Sequence, residues 1–181
     1  MIDEIMEYNR KFVENKGYEP YLTSKYPDKK LAILTCMDTR LLELLPAALG
    51  IKNGDAKIIK NAGGVIVHPY GSVVRSLLVG ILELGVEEVM VIGHTDCGVQ
   101  GMDGNEMLEK LVERGIDQQH IDIVRHSGID LERWLGGFES VESSVHETVR
   151  RLKEHPLMPK NVRISGFIMD SAPGELTRVE E

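Results

Sequence analysis

Two short apolar runs, Leu31-Ala32-Ile33-Leu34-Thr35-Cys36 and Val89-Met90-Val91-Ile92, limit the folds open to this chain more than any other feature. Neither alternates with charged residues, so each reads as a strand covered on both faces, and such strands belong to mostly parallel sheets. Lys57-Ile58-Ile59 is a weaker strand signal. Val162, Ile164 and Ile168 alternate with other residues, which predicts a fourth strand at a sheet edge with one face wet. Helical stripes lie between these runs. Leu41 to Leu49 reads as a short helix that Pro46 should interrupt. Ser72 is the expected cap of a helix carrying Val73, Val74, Leu77, Leu78, Ile81 and Leu82, with Gly85 as its stop. Residues 105–137 read as helical pieces broken at Gly115, Gly128 and Gly136-Gly137, and Val141, Val145, Val149 and Leu152 stripe a further helix before Pro156. Strands alternating with helices make βαβ units, so the expected fold is α/β, a mostly parallel β-sheet flanked by helices.

Ahead of the first strand, Ile2, Ile5, Met6, Phe12 and Val13 recur at helical spacing until Gly17 and Pro20 end the pattern. This N-terminal helical arm must bury its stripe on its own core or on a partner subunit. A length of 181 residues suits a single domain, with residues 1–28 as the arm and 29–181 as the α/β core. With 21 Lys and Arg against 29 Asp and Glu, the chain lacks the basic face a nucleic acid needs. The longest apolar run, Leu77 to Leu82, stops at Glu83, far short of the roughly 18 residues of a membrane span. The opening Met1-Ile2-Asp3-Glu4 is acidic and does not read as a secretory signal. Two cysteines are too few for a disulfide scaffold, so the expected location is cytoplasmic.

In open parallel sheets, sites form beyond the carboxyl ends of the strands, where the winding reverses. Three polar clusters stand at such ends: Cys36-Met37-Asp38-Thr39-Arg40, Asn61-Ala62-Gly63-Gly64 and Gly93-His94-Thr95-Asp96-Cys97-Gly98. If the first and third strands are neighbours, as the common 2-1-3 winding requires, Cys36, His94 and Cys97 converge. Two thiolates and one imidazole suit one zinc ion per chain and leave a fourth position for water, whose pKa the metal would bring near 7. Taken singly, each cysteine also reads as a small buried hydrophobe and His94 as a satisfied loop histidine. Their joint placement favours metal, and a reducing compartment disfavours a disulfide between them. Asp38 lies two residues from a candidate ligand, close enough either to accept a hydrogen bond from hydroxide on the metal or to ligate it. Arg40 would hold that carboxylate by a charge-assisted pair, although a surface ion pair is the plainer reading.

C-M-D-T-R at 36–40, K-N-A-G-G at 60–64 and G-H-T-D-C-G at 93–98 resemble the β-class carbonic anhydrases, in particular their short archaeal and bacterial branch. Gly166-Phe167-Ile168-Met169-Asp170, followed by Gly174 and Leu176, is similar to that family's last strand and turn, so the likeness runs from about residue 30 to 177. Thr39, where the family usually has Ser, keeps the hydroxyl; Lys60 stands where Arg is more frequent. The resemblance implies zinc on Cys36, His94 and Cys97, with Asp38 and Arg40 as a catalytic dyad. It also implies a homodimer or higher homo-oligomer whose arm reaches over its partner.

The expected activity is reversible hydration of carbon dioxide to bicarbonate and a proton by hydroxide on zinc. Hydrolysis of a sulfur analogue, carbon disulfide or carbonyl sulfide, would use the same ligands. A zinc-binding regulatory protein without catalysis is a further reading. A nucleotide-binding domain is set aside, because no G-x-G-x-x-G follows a strand. Asn61 and Gly63-Gly64 either line the site or make a tight turn. His68 is a candidate proton relay, though a lone loop histidine is more often simply exposed. His120, His126, His146 and His155 read as surface residues, and Met102, Met107 and Met158 as packing.

Overall fold

The computed structural model describes residues 1–180; position 181, the last of the expected domain, lies outside them. Helix α1 (Ile2–Glu14) precedes the sheet, followed in chain order by β1 (Leu31–Cys36), α2 (Leu41–Ala48), β2 (Ala56–Asn61), α3 (Ser72–Leu84) and β3 (Glu88–His94). Then come α4 (Gly104–Glu113), α5 (Gln118–His126), α6 (Leu131–Leu135), α7 (Val141–Glu154), β4 (Arg163–Met169) and β5 (Leu176–Arg178). The strands form one sheet in the order β2-β1-β3-β4-β5, the first four parallel and β5 antiparallel to β4. The chain thus leaves β2, passes over β1 and re-enters as β3. That crossing opens a crevice between the carboxyl ends of β1 and β3.

Both faces of the central strands are covered, as uninterrupted apolar runs require. Ala32, Leu34, Val89 and Val91 face α3 and α7 and pack with Val74, Leu77, Val145, Val149 and Leu152. Ile33, Ile92 and Met169 pack on the other face with Leu41 and Leu45 of α2, and both cysteines belong to this second cluster. Helix α7 lies close on the sheet because β3 and β4 each present a glycine to it. A Cβ on Gly93 would stand 2.7 Å from Val141 and 2.8 Å from Val145, and one on Gly166 would stand 2.6 Å from Val145. Helices α4 to α6 form a satellite with its own small core of Leu108, Ile121 and Leu131.

Four expectations need correction. Strand β4 is not an edge strand, because β5 pairs along it; its alternation still marks two unlike faces, Ile164 and Gly166 buried under α7 while Arg163 is exposed and Ser165 and Phe167 are half-buried. Helix α2 runs through Pro46. The bond a proline cannot make is the one to the carbonyl four residues back, and Leu42 there is a 67% exposed residue at the protein surface rather than in the core. Gly71 rather than Ser72 is the N-cap of α3, with no side-chain capping bond, while Gly85 closes that helix in the left-handed conformation (φ 75°) as expected. His155 is buried, not superficial. Its Nε2 donates to the Pro69 carbonyl at 2.9 Å and its Nδ1 accepts from the Leu157 N–H at 3.2 Å. With Arg151 donating to the Ile66 carbonyl at 2.6 Å, it straps the 65–71 loop to α7. Among the described residues, no helix is long and apolar enough to cross a membrane.

Candidate metal centre

Cys36 ends β1 and His94 ends β3, so the parallel neighbouring of these strands brings the two side chains to one place. Cys97 follows on the loop that leaves β3. The thiols of Cys36 and Cys97 lie 3.9 Å apart and both cysteines are free. With Nε2 of His94 they form a buried group of three ligand atoms, all within 4.8 Å of one another. Tetrahedral coordination with metal–sulfur bonds of 2.3 Å sets two thiolates about 3.8 Å apart, close to the spacing seen here. His94 gives a second sign of fit. Its Nδ1 lies 2.9 Å from the Thr95 carbonyl, which can only accept, so Nδ1 carries a proton and, in the neutral ring that a metal would require, Nε2 carries a free lone pair. Among the described residues, that Nε2 is a buried polar atom with no hydrogen-bond partner. A buried orphan acceptor is costly unless something fills its place, and a cation between it and two thiols would do so.

Burial raises the Cys36 thiol, but His94 and the backbone N–H groups of Asp38 and Gly63 outweigh it and bring the thiol down to about 7. Burial pushes the Cys97 thiol up. His94 is raised, chiefly by Cys36 and also by Asp38. One thiolate is therefore favoured by the protein itself, while the second would be formed against its surroundings as a metal binds.

Beside this group, Asp38 is gripped by Arg40. Arg40 donates from Nε to Oδ1 at 3.0 Å, from NH2 to Oδ2 at 2.9 Å and from its backbone N–H to Oδ1 at 2.9 Å. These bonds hold the Asp38 carboxyl well below the usual carboxylate range, so it is anionic throughout the working range of pH. Its Oδ2 lies 3.9 Å from Nε2 of His94. The same guanidinium donates to the Asp96 carboxylate and to the Asp96 carbonyl, each at 2.8 Å.

Asn61 and the glycines after it form a turn that also lines the site, since the Gly63 N–H acts on the Cys36 thiol. The Asn61 side chain donates to the Val65 carbonyl at 2.7 Å and accepts from the Val65 N–H at 3.0 Å. Gly64 has φ 67°, and a Cβ there would stand 3.0 Å from the Thr35 carbonyl carbon and 3.1 Å from the Cys36 nitrogen, so the turn backs directly onto the first thiol's backbone. His68 lies exposed in the following loop, its Nδ1 accepting from the Tyr70 N–H. The sequence reading gave no part to Lys60 or to Asp96. Lys60 donates to the Leu41 carbonyl at 3.2 Å at the start of α2; burial lowers its pKa while Cys36 and Asp38 oppose the fall. Both lie inside the quoted motifs, and that placement was the signal available for them.

Comparison with known proteins agrees with this geometry. The family model described as carbonic anhydrase matches residues 31–176. The Bacillus subtilis protein YvdA, which carries a provisional carbonic anhydrase name, is 51% identical over 97% of this chain and 89% of its own length. A carbon disulfide hydrolase of Saccharolobus solfataricus is 33% identical over 79% of this chain and 74% of its own. The crystal structure of β-carbonic anhydrase isoform I of Trichomonas vaginalis superposes with a TM-score of 0.88 and 34% identity, covering 99% of this chain and 97% of that one. With the family match spanning the first four strands and both motifs that carry the candidate ligands, the chain belongs to the β-carbonic anhydrase family.

Proposed function

We propose that this protein catalyses the reversible hydration of carbon dioxide to bicarbonate and a proton. In this reading Cys36, His94 and Cys97 hold one zinc ion, the cofactor that β-carbonic anhydrases use, and Asp38 and Arg40 form the catalytic pair. The observation that carries the reading is the orphan Nε2 of His94, grouped with two thiols within 4.8 Å and lying 3.9 Å from a clamped carboxylate oxygen. When bound, zinc is a Lewis acid that brings the pKa of water to about 7 and so supplies a nucleophile at neutral pH.

The residues around it orient and discriminate. The Thr95 carbonyl fixes the His94 tautomer, which leaves Nε2 as the ligating atom. Arg40 occupies Asp38 Oδ1 twice and Oδ2 once, so Oδ2, 3.9 Å from His94 Nε2, keeps acceptor capacity beside the residues that would hold the metal. There it can accept a hydrogen bond from the attacking water and turn that oxygen's lone pair toward the carbon of the substrate. Val99 and Phe138 belong to the apolar cluster that includes both thiols, a surrounding that suits an uncharged linear substrate. The proton leaves to buffer or, in the fuller reading, by way of His68.

Hydrolysis of carbon disulfide or carbonyl sulfide is the second reading, favoured by the 33% identical carbon disulfide hydrolase. Purified protein should contain about one zinc per chain and accelerate carbon dioxide hydration in a stopped-flow pH-indicator assay. Zinc-loaded protein active only on carbon disulfide would transfer the assignment to the second reading. Zinc-loaded protein inert toward both substrates would leave a regulatory zinc protein.

The proposal extends to assembly and place. Helix α1 buries none of its residues, and Ile2, Ile5 and Met6 are 77%, 61% and 64% exposed. We take residues 1–28 as an arm that covers a second copy of the chain, with residues 29–181 as the core of one domain. Deleting residues 1–16 should then convert dimer to monomer in sedimentation; an unchanged dimer would refute it. Two free cysteines are consistent with a reducing, cytoplasmic setting.

A further inference from the structure

Arg40 does more than hold Asp38. Its guanidinium is shared between two segments that together carry all three candidate ligands: the 36–40 turn, with Cys36 and Asp38, and the 94–97 loop, with His94 and Cys97. On the second segment both contacts go to one residue, the Asp96 carboxylate through NH1 and the Asp96 carbonyl through NH2, each at 2.8 Å. Asp96 holds a left-handed backbone (φ 55°), one of three non-glycine residues with positive φ among those described. That conformation disfavours most side chains and is best tolerated by glycine, Asn and Asp. Here it turns carbonyl and carboxylate onto the same cation.

We propose that Asp96 is a positioning residue of this centre, tying the loop of His94 and Cys97 to the turn of Cys36 and Asp38 through Arg40. The proposal rests on the reading of Cys36, His94 and Cys97 as the zinc ligands. The Asp96 side chain is 86% exposed, and an exposed ion pair by itself is worth little. A planar guanidinium that meets two carboxylates and a carbonyl at once is a network, in which each bond restricts the others. Losing the Asp96 carboxylate frees NH1 and leaves the NH2 donation to the Asp96 carbonyl as the remaining bond from Arg40 to the ligand loop. The ligand loop then gains freedom relative to Cys36, and Arg40 gains freedom relative to Asp38.

Asp96→Gly removes the carboxylate while keeping a residue at ease at φ 55°, and Asp96→Asn keeps both the backbone tolerance and one acceptor oxygen. The experiment measures zinc release from the loaded protein into a chromophoric chelator, with the pH profile of carbon dioxide hydration alongside. Asp96→Gly should release zinc about three- to tenfold faster. Its pH profile should be displaced from that of the wild type, and Asp96→Asn should recover most of both. In an Arg40→Ala background the Asp96→Gly change should add nothing, because its partner is gone. Wild-type release and an unshifted profile in Asp96→Gly would overturn the proposal, as would an effect that persists undiminished without Arg40. Should the wild type bind zinc yet fail to hydrate carbon dioxide, the enzymatic reading fails while the release rates still decide the role of Asp96.

Discussion

Replacing Cys97 by serine is the most direct test of the metal centre. The hydroxyl of serine does not ionise at neutral pH, so the change removes one thiolate from a group of three ligand atoms lying within 4.8 Å of one another. Binding of zinc to four-ligand peptide sites is worth about 10–16 kcal/mol at neutral pH, or roughly 2.5–4 kcal/mol per ligand. Loss of one ligand should therefore weaken binding by about 10²–10³-fold, at about 1.4 kcal/mol per factor of ten. Cys97 is only 6% exposed, so serine also buries a hydroxyl, and Cys97→Ala separates that cost from the lost ligand. The assay is competition for zinc with a chelator of known affinity, and circular dichroism establishes that each variant is folded. Both variants should lose zinc to a chelator that leaves the wild type loaded, and both should lose activity. Full zinc retention by folded Cys97→Ser would refute the site as drawn.

Arg40→Ala should still bind zinc, releasing it at least as fast as Asp96→Gly, but lose more than tenfold in carbon dioxide hydration when zinc-loaded, beyond the fivefold or so that an exposed ion pair can explain; near-normal rates at every pH would reduce the pair to a surface contact. Arg150 and Arg151 hold the Glu147 carboxyl down at about 2 against an ordinary 4.5, so the stabilisation it gives is complete above pH 4.5 and drains away as the pH falls toward 2. Glu147→Gln should therefore be less stable than the wild type near neutrality, with the difference narrowing on acidification in thermal melts; a difference that widens in acid would contradict this. Gly93→Ala places a Cβ 2.7 Å from Val141 and 2.8 Å from Val145. It should cost about 1–3 kcal/mol by overpacking, a fall of roughly 2–12 °C in Tm for a chain of this size, and an unchanged Tm would show that α7 yields freely.

Much of this molecule is legible in one dimension. Apolar runs without alternation mark β1 and β3 as doubly covered strands, and the stripe from Val141 to Leu152 marks α7, because each pattern repeats with the period of its own element. The three candidate ligands are legible for a related reason. Residues at the ends of parallel strands converge once the winding is known, so Cys36 and His94 could be paired from their positions alone.

What the tertiary structure alone decided depends on neighbours that no local pattern encodes. Pro46 stays inside α2, where the residue whose carbonyl it leaves without an intrahelical donor, Leu42, lies on the exposed side of the molecule. Strand β4 is interior because three residues, Leu176–Arg178, return beside it, too short and too polar a segment to announce itself. His155 is buried because Pro69, some 86 residues earlier, offers its Nε2 an acceptor. Asp96 reads as one more loop acid until the fold carries Arg40 across 56 positions to meet it. Periodicity depends on the backbone and is written locally, whereas a hydrogen bond between distant segments depends on where the whole chain places two polar groups, and only folding brings that about.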